Sequence, residues 1–267
     1  MQTKTLEGWT TSISRVVSDG DTEDTLIRGH SLNDLIGNAT FAETMFLLLN
    51  GERPSKAQGR VLDALLVACM EHGIAPPSLV PRLYASYGTG LQHGIAAGIG
   101  AFGEKMGALG EKMAKLMVDR TAGTEMTETN MAALAEAIVT DLKQAGERVP
   151  GYGIPLHSRD PRADRVMEIA KAEGVFGPYC RLAELIGDAL TRQRGGRAVP
   201  LNIDGICACI ALDLGFDWRT TQMFLLTARS VSMGAHYLEE LSQDTIWRHI
   251  PADQIDYEGA VAPEGET

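Results

Sequence analysis

Cysteine is scarce: Cys69, Cys180, Cys207 and Cys209 are the only four among 267 residues. No two stand in a C-x-x-C spacing, and no His/Cys pattern has metal-ligand spacing, which argues against a metal site. Cys207 and Cys209 lie in an apolar run and read as reduced core residues. Positive charge is also short, with 24 Lys and Arg against 35 Asp and Glu, a net charge of −11. An acidic chain without a basic stripe excludes nucleic acid as the main partner. It leaves room for small anions, because a few arginines can be gathered in one pocket. No segment approaches the ~18–20 consecutive apolar residues of a membrane span. The opening MQTKTLEGWTTSISRV has no apolar signal region. The expectation is a soluble, cytoplasmic protein with no membrane partner. What remains is ordinary globular composition, 44% hydrophobic and 22% charged, long enough for one large core or two modest ones.

Helix signals dominate the chain. Residues 32–50, LNDLIGNATFAETMFLLLN, carry apolar side chains at helical spacing. Thr40 is a candidate N-cap, with Glu43 completing a capping box and Gly51 as the stop. Further helices are expected from Ser55 to Gly73, from Ser78 onward, and over 90–102, where Gly and Ala permit close helix approach. The pattern continues over 103–119, 127–145, 161–173 and 177–194. NIDGICACIALDL at 202–214 is a buried helix or strand, with length favouring helix. Thr220 is a candidate cap for a long helix over 221–242. Strand character is confined to IDYEG at 255–259. The sum is an all-α chain of about ten helices, too many for a simple bundle.

Four stretches stand out from this background. EHG at 71–73 sets His72 at a helix end, where a histidine more often serves the helix C-terminus than catalysis. VPGYG at 149–153 followed by RDPRADR is a glycine loop running into a helix start. Glycine lets backbone approach a ligand closely, and Arg162 with free N–H groups suits a carboxylate. A solvated surface loop is the plainer alternative. LNIDG at 201–205 places Asp204 beside apolar residues, which suits a general base or, equally, a helix cap. ARSVSMGAHYLEE at 228–240 puts Arg229 inside an apolar helix, where it needs an anionic partner. His236, seven residues on, reads as a core or supporting histidine.

None of these is specific alone. Their order, His72, VPGYG, DPR, NID and then ARS…GAHYLEE, resembles the citrate synthase superfamily, and within it the citryl-CoA lyase branch that includes the lyase module of ATP-citrate lyase. The likeness runs from RGHSLNDLIG at 28–37 to WRHIPADQIDYEG at 247–259. It implies an all-α, citrate-synthase-like fold with a large and a smaller helical domain and the active site in the cleft. The corresponding boundaries are 1–145 and 216–267 for the large domain and 146–215 for the small one. It also implies a homodimer or a multiple of dimers, and a CoA thioester as substrate together with a carboxylic or oxo acid. No metal or redox cofactor is implied.

By motif, the resemblance assigns proton transfer at the α-carbon to Asp204 and substrate carboxylates to Arg162 and Arg229. Asn202 joins them as a substrate-binding residue. His72, preceded by Glu71 where the family has aspartate, matches a histidine near the substrate. Val149, Pro150, Gly151, Tyr152 and Gly153 match the loop that takes up CoA through backbone groups. Two positions depart. EKMGALGEK, around Gly107, lacks the histidine that citrate synthases proper carry there, which tilts the expectation towards lyase. Ile154 replaces the histidine that follows the glycine loop in both branches and polarises the keto-acid carbonyl. Losing one such donor typically costs about 10²–10³ in kcat. Either His157 supplies the donor, or the pocket takes a different acid, or catalysis is lost. The expectation is therefore a carbon–carbon lyase or synthase acting on citryl-CoA or a close analogue. The alternative is a CoA-ester-binding paralogue without turnover.

Overall fold

The computed structural model describes residues 8–18, 20, 23–103, 105–107, 109–153 and 160–260. It is mostly helical, as expected, with one small sheet that the sequence patterns did not reveal. Strands β1 (Ser14–Ser18), β2 (Glu23–Ile27) and β3 (His30–Ser31) pair antiparallel in the order β1-β2-β3, with Ser14 opposite Ile27 and Leu26 opposite Ser31. Eleven α-helices follow among the described residues: α1 (Leu32–Leu35), α2 (Phe41–Asn50), α3 (Lys56–Met70), α4 (Pro76–Ser86), α5 (Leu91–Gly100), α6 (Leu109–Thr121), α7 (Glu128–Gln144), α8 (Pro161–Ala172), α9 (Pro178–Gln193), α10 (Ile203–Asp213) and α11 (Thr221–Ser242).

The helix boundaries follow local chemistry. Thr40 caps α2 with the expected capping box to Glu43, and Gly51 ends it at φ 89°. Ser55 and Gln58 form a second capping box at α3. The segment over 103–119 becomes helical only from Leu109, because Gly107 turns at φ 83° and Gly103 pairs with Met106 in a short bridge. IDYEG at 255–259 forms no strand; a single 3₁₀ turn, Ala252–Gln254, precedes it.

The chain divides into two compact units, Met1–His72 with Phe102–Val231, and Gly73–Ala101 with Ser232–Thr267. Within the first unit, α7, α9, α10 and Phe224 of α11 share one continuous apolar core.

In the first unit, α10 is the central helix, packed against α6, α8, α9 and α3. Every residue from Gly205 to Ala211 is buried. That resolves the ambiguity over 202–214: a helix apolar on all sides belongs inside a helical layer. Asp213 at its far end accepts from the backbone N–H groups of Gly177, Tyr179 and Cys180, capping α9. Phe46, Phe216 and Phe224 meet edge to face, with centroids 4.8 and 5.1 Å apart.

In the second unit, α4 and α5 lie close, as the small residues at 90–102 suggested. A Cβ on Gly98 would stand 2.9 Å from the Pro77 carbonyl oxygen and 2.8 Å from Met233 Sδ. Arg82 bonds Glu240 at 2.7 Å and donates to His236 Nδ1 at 3.2 Å, so His236 is a supporting histidine in a buried ion-pair network.

Candidate functional site

The start of α10 gathers several of the candidate residues. Asn202 is its N-cap, with Oδ1 accepting from the Gly205 N–H at 3.1 Å. Asp204 is therefore not needed as a cap. Its half-buried carboxylate instead accepts from the Gly110 N–H, in the first turn of α6. Burial pushes the Asp204 carboxyl up from 3.8 to about 6. The Gly110 N–H, Arg162 and Arg229 oppose that rise, and Asp160 adds to it.

Arg162 opens α8 just after Pro161. Its Nε and Nη2 donate to Asp160 Oδ1 and Oδ2 at 2.9 and 2.8 Å. The third nitrogen, Nη1, is buried and has no hydrogen-bond partner among the described residues. A buried guanidinium N–H left open is costly unless a ligand oxygen meets it. Arg229 is 4% exposed and donates from Nε to the Cys69 carbonyl at 3.0 Å. Burial lowers its pKa, while Glu71 and Asp204 raise it and Arg162 lowers it further. Two arginines and Asp204 thus act on one another electrostatically. His72 follows Glu71, the residue after α3, and is exposed; its backbone N–H donates to Glu71 Oε1 at 2.8 Å.

The glycine loop is built against α10. Asn202 N–H donates to the Gly151 carbonyl at 3.0 Å, Gly153 N–H to the Pro200 carbonyl at 2.8 Å, and Asn202 Nδ2 to the Gly153 carbonyl at 2.9 Å. Gly151 has φ 82°, and a Cβ there would lie 2.8 Å from Gly205 Cα. Tyr152 is pinned, its hydroxyl donating to the Ala183 carbonyl at 2.5 Å, and burial raises its pKa. Val149 joins the core, and Pro150 is half-buried. Asn202 and the named backbone groups of Gly151 and Gly153 are thus engaged in shaping the loop. Ile154 and His157 lie outside the described residues.

A Cβ on Gly205 would come 2.4 Å from the Gly151 carbonyl oxygen. Gly205→Ala is therefore expected to destabilise the protein by about 1–3 kcal/mol through overpacking. A thermal melt checks this, and an unchanged Tm would show that the loop yields freely.

The sequence reading missed two members of the site. Asp160 appeared only as part of DPR; its place before Pro161 marks it as an N-cap, a signal available in the sequence. Gly110 left no local signal, because its role depends on α6 meeting α10. An open cleft of about 400 Å³, lined by Ser55, Gln58, Glu173, Phe176 and Asp213 among others, contains none of these site residues.

The model of the citrate synthase C-terminal domain matches residues 52–250. The chain belongs to the citrate synthase family. This family member is similar to the citryl-CoA lyase of Hydrogenobacter thermophilus, with 34% identity, 96% of each chain covered and a TM-score of 0.85. ATP citrate lyase from Methanothrix soehngenii, solved with citrate and coenzyme A, shares the fold: 19% identity, TM-score 0.78, covering all of this chain (100%) and 44% of that one. A citrate synthase of Acidithiobacillus ferridurans is 24% identical over 215 residues, 78% of this chain and 53% of that protein. The chain thus spans about half the length of the curated relatives it matches. Among the described residues no helix is long and apolar enough to cross a membrane, and no group of three or more His, Cys, Asp or Glu side chains could hold a metal ion.

Proposed function

We propose that this protein breaks the carbon–carbon bond of citryl-CoA, or a close analogue, giving acetyl-CoA and an oxo acid, and runs the same step in reverse. The observation that carries the proposal is Asp204: a half-buried carboxyl raised to about 6, held by a helix-start N–H and coupled to two arginines. A group poised near neutral pH both gives and takes protons efficiently. In cleavage, the hydroxyl proton of the citryl group passes to the group at that oxygen, His72 or His157, and the oxygen electrons form the oxo-acid carbonyl. The carbon–carbon bond then breaks, and its electron pair passes into the thioester enolate. Asp204 delivers its proton to the enolate carbon, completing acetyl-CoA. Condensation reverses each step, with Asp204 starting ionised.

Arg162 and Arg229 hold the acid's carboxylates, and the open Nη1 of Arg162 is a ready donor for one of them. The 149–153 loop takes the CoA portion. His72 and His157 are the candidate groups at the citryl oxygen. Residues 146–215 form the part that closes on the substrate, and the working form is a cytoplasmic homodimer. The likeness to the Hydrogenobacter lyase supports the lyase direction.

Single-turnover cleavage of citryl-CoA tests the proposal. Wild type is expected to release acetyl-CoA and oxaloacetate; an inert wild type would contradict it. Ile154→His is expected to speed cleavage by roughly 10²-fold, the usual worth of one such donor. An unchanged rate would show that another group already serves the carbonyl.

A further inference from the structure

We propose that Asp160 is a positioning residue that sets the direction of the Arg162 fork and ties it to the start of α10, beside Asp204. The proposal rests on Asp204 being the proton carrier. Asp160 is 3% exposed. Its Oδ1 accepts from the Arg162 backbone N–H at 3.1 Å and from Arg162 Nε at 2.9 Å. Its Oδ2 accepts from Arg162 Nη2 at 2.8 Å and from the Ile203 backbone N–H at 3.1 Å. Four donors fill the two oxygens, so this carboxylate has no room to bind substrate or carry a proton.

What it does hold is the relation between two reacting elements. Arg162 stands at the start of α8. Ile203 opens α10, one residue before Asp204. One side chain ties both helix starts together across 43 residues of sequence. Because the guanidinium is a rigid planar fork, occupying Nε and Nη2 fixes where Nη1 lies. That nitrogen is the buried one left open among the described residues. Asp160 thereby decides which edge of Arg162 meets the acid.

The second effect is electrostatic. Asp160 stays ionised: burial raises its pKa, but Arg162 and the Ile203 N–H bring it below the usual carboxylate value. The groups facing Asp204 are the Gly110 N–H from α6, Arg162 and Asp160 from the α8 start, and Arg229 from α11. Cys207 on α10 lies near enough to feel the Asp204 charge; it is buried against Cys69 of α3, and Glu71 acts through Arg229. Burial is the main reason the Asp204 carboxyl is raised; Asp160 is the anion that adds to that rise and offsets part of the opposing pull of Arg162.

The test compares Asp160→Asn and Asp160→Glu with wild type by two readouts. The first is NMR titration of the ¹³C-labelled Asp204 carboxyl, assigned with Asp204→Asn, which needs no turnover. Asp160→Asn is expected to lower that pKa, since an anion is lost and Arg162 is unmasked. Asp160→Glu, which keeps the charge, is expected to leave it near the wild-type value. The second readout is the KM for the oxo acid in condensation. Both variants are expected to raise it about tenfold, because each displaces the fork, while the acetyl-CoA KM stays put. A merely structural role would move neither the titration nor the split between the two KM values. An oxo-acid KM or an Asp204 pKa unchanged in a folded Asp160→Asn protein overturns the proposal. If wild type shows no turnover with any acid, the lyase assignment fails, and the titration still decides the role of Asp160.

Discussion

Asp204→Asn is expected to abolish turnover and raise thermal stability together. Removing a group that moves a proton in the transition state costs about 10²–10⁴ in rate. The stability gain follows from linkage. Native Asp204 is raised from 3.8 to about 6, so the folded protein binds this proton more tightly than the unfolded chain. The contribution of this group to stability is complete below pH 3.8 and drains away as pH rises through about 6. At neutral pH the ionised carboxylate is thus a net cost. A shift of this size corresponds to ~3 kcal/mol for a sealed site. Asp204 is only half-buried, so solvent screening reduces that to about 1–2 kcal/mol. Asparagine is neutral at every pH and retains an oxygen to accept the Gly110 N–H. The variant should melt about 2–6 °C above wild type at pH 8 and much closer to it at pH 4. Calorimetry at the two pH values checks this. Equal melting differences at both would mean that Asp204 is not desolvated as described.

Arg229→Ala is expected to lower kcat/KM by about 10³-fold, among the largest losses for any residue outside the proton carrier. The guanidinium is buried, so the acid's carboxylate would lose a cation that water cannot replace. The change also leaves the Cys69 carbonyl without its 3.0 Å donor. A second consequence separates charge from packing. Arg229 favours the ionised form of Asp204. Without it the Asp204 pKa rises above about 6, and the rising limb of condensation against pH moves to higher pH. Arg229→Lys keeps a cation but not the planar fork, so it should restore the limb more fully than it restores kcat/KM. A pH profile of kcat/KM for the three proteins measures both effects. An Arg229→Ala profile that keeps its limb would detach this arginine from Asp204.

The helices of the core were legible because their signals are local. Thr40 and Glu43 stand three apart, and Gly51 follows, so the boundaries of α2 needed nothing but chain chemistry. The same held for the glycines of α5, whose small size announces close packing. The sheet was not legible for the opposite reason. Its SRVVS and EDTLI strands bury little on either face and show no apolar alternation, so pairing across the turn is what makes them strands. Helix α10 was ambiguous because burial on every side erases periodicity.

At the site, residue types with strong chemical demands were visible: an aspartate among apolar neighbours, and an arginine inside an apolar helix. Gly110 was not, and of Asp160 only the N-cap place showed, because their longer ties are to partners 94 and 43 residues further along the chain, Asp204 and Ile203. Asn202 illustrates the converse. Besides the substrate role its place in NID implies, its side chain caps α10 and holds the Gly153 carbonyl. A polar side chain beside a reacting group is as often the scaffold of the loop as its working surface.

The measurement that bears most directly on the central claim is the exchange of acetyl-CoA methyl protons with D₂O, followed across pH in wild type and Asp204→Asn. The account predicts exchange in wild type that rises through pH about 6, as Asp204 ionises, and its loss in the asparagine variant. Exchange that persists in Asp204→Asn with the same pH dependence would contradict the assignment and place the proton on another group.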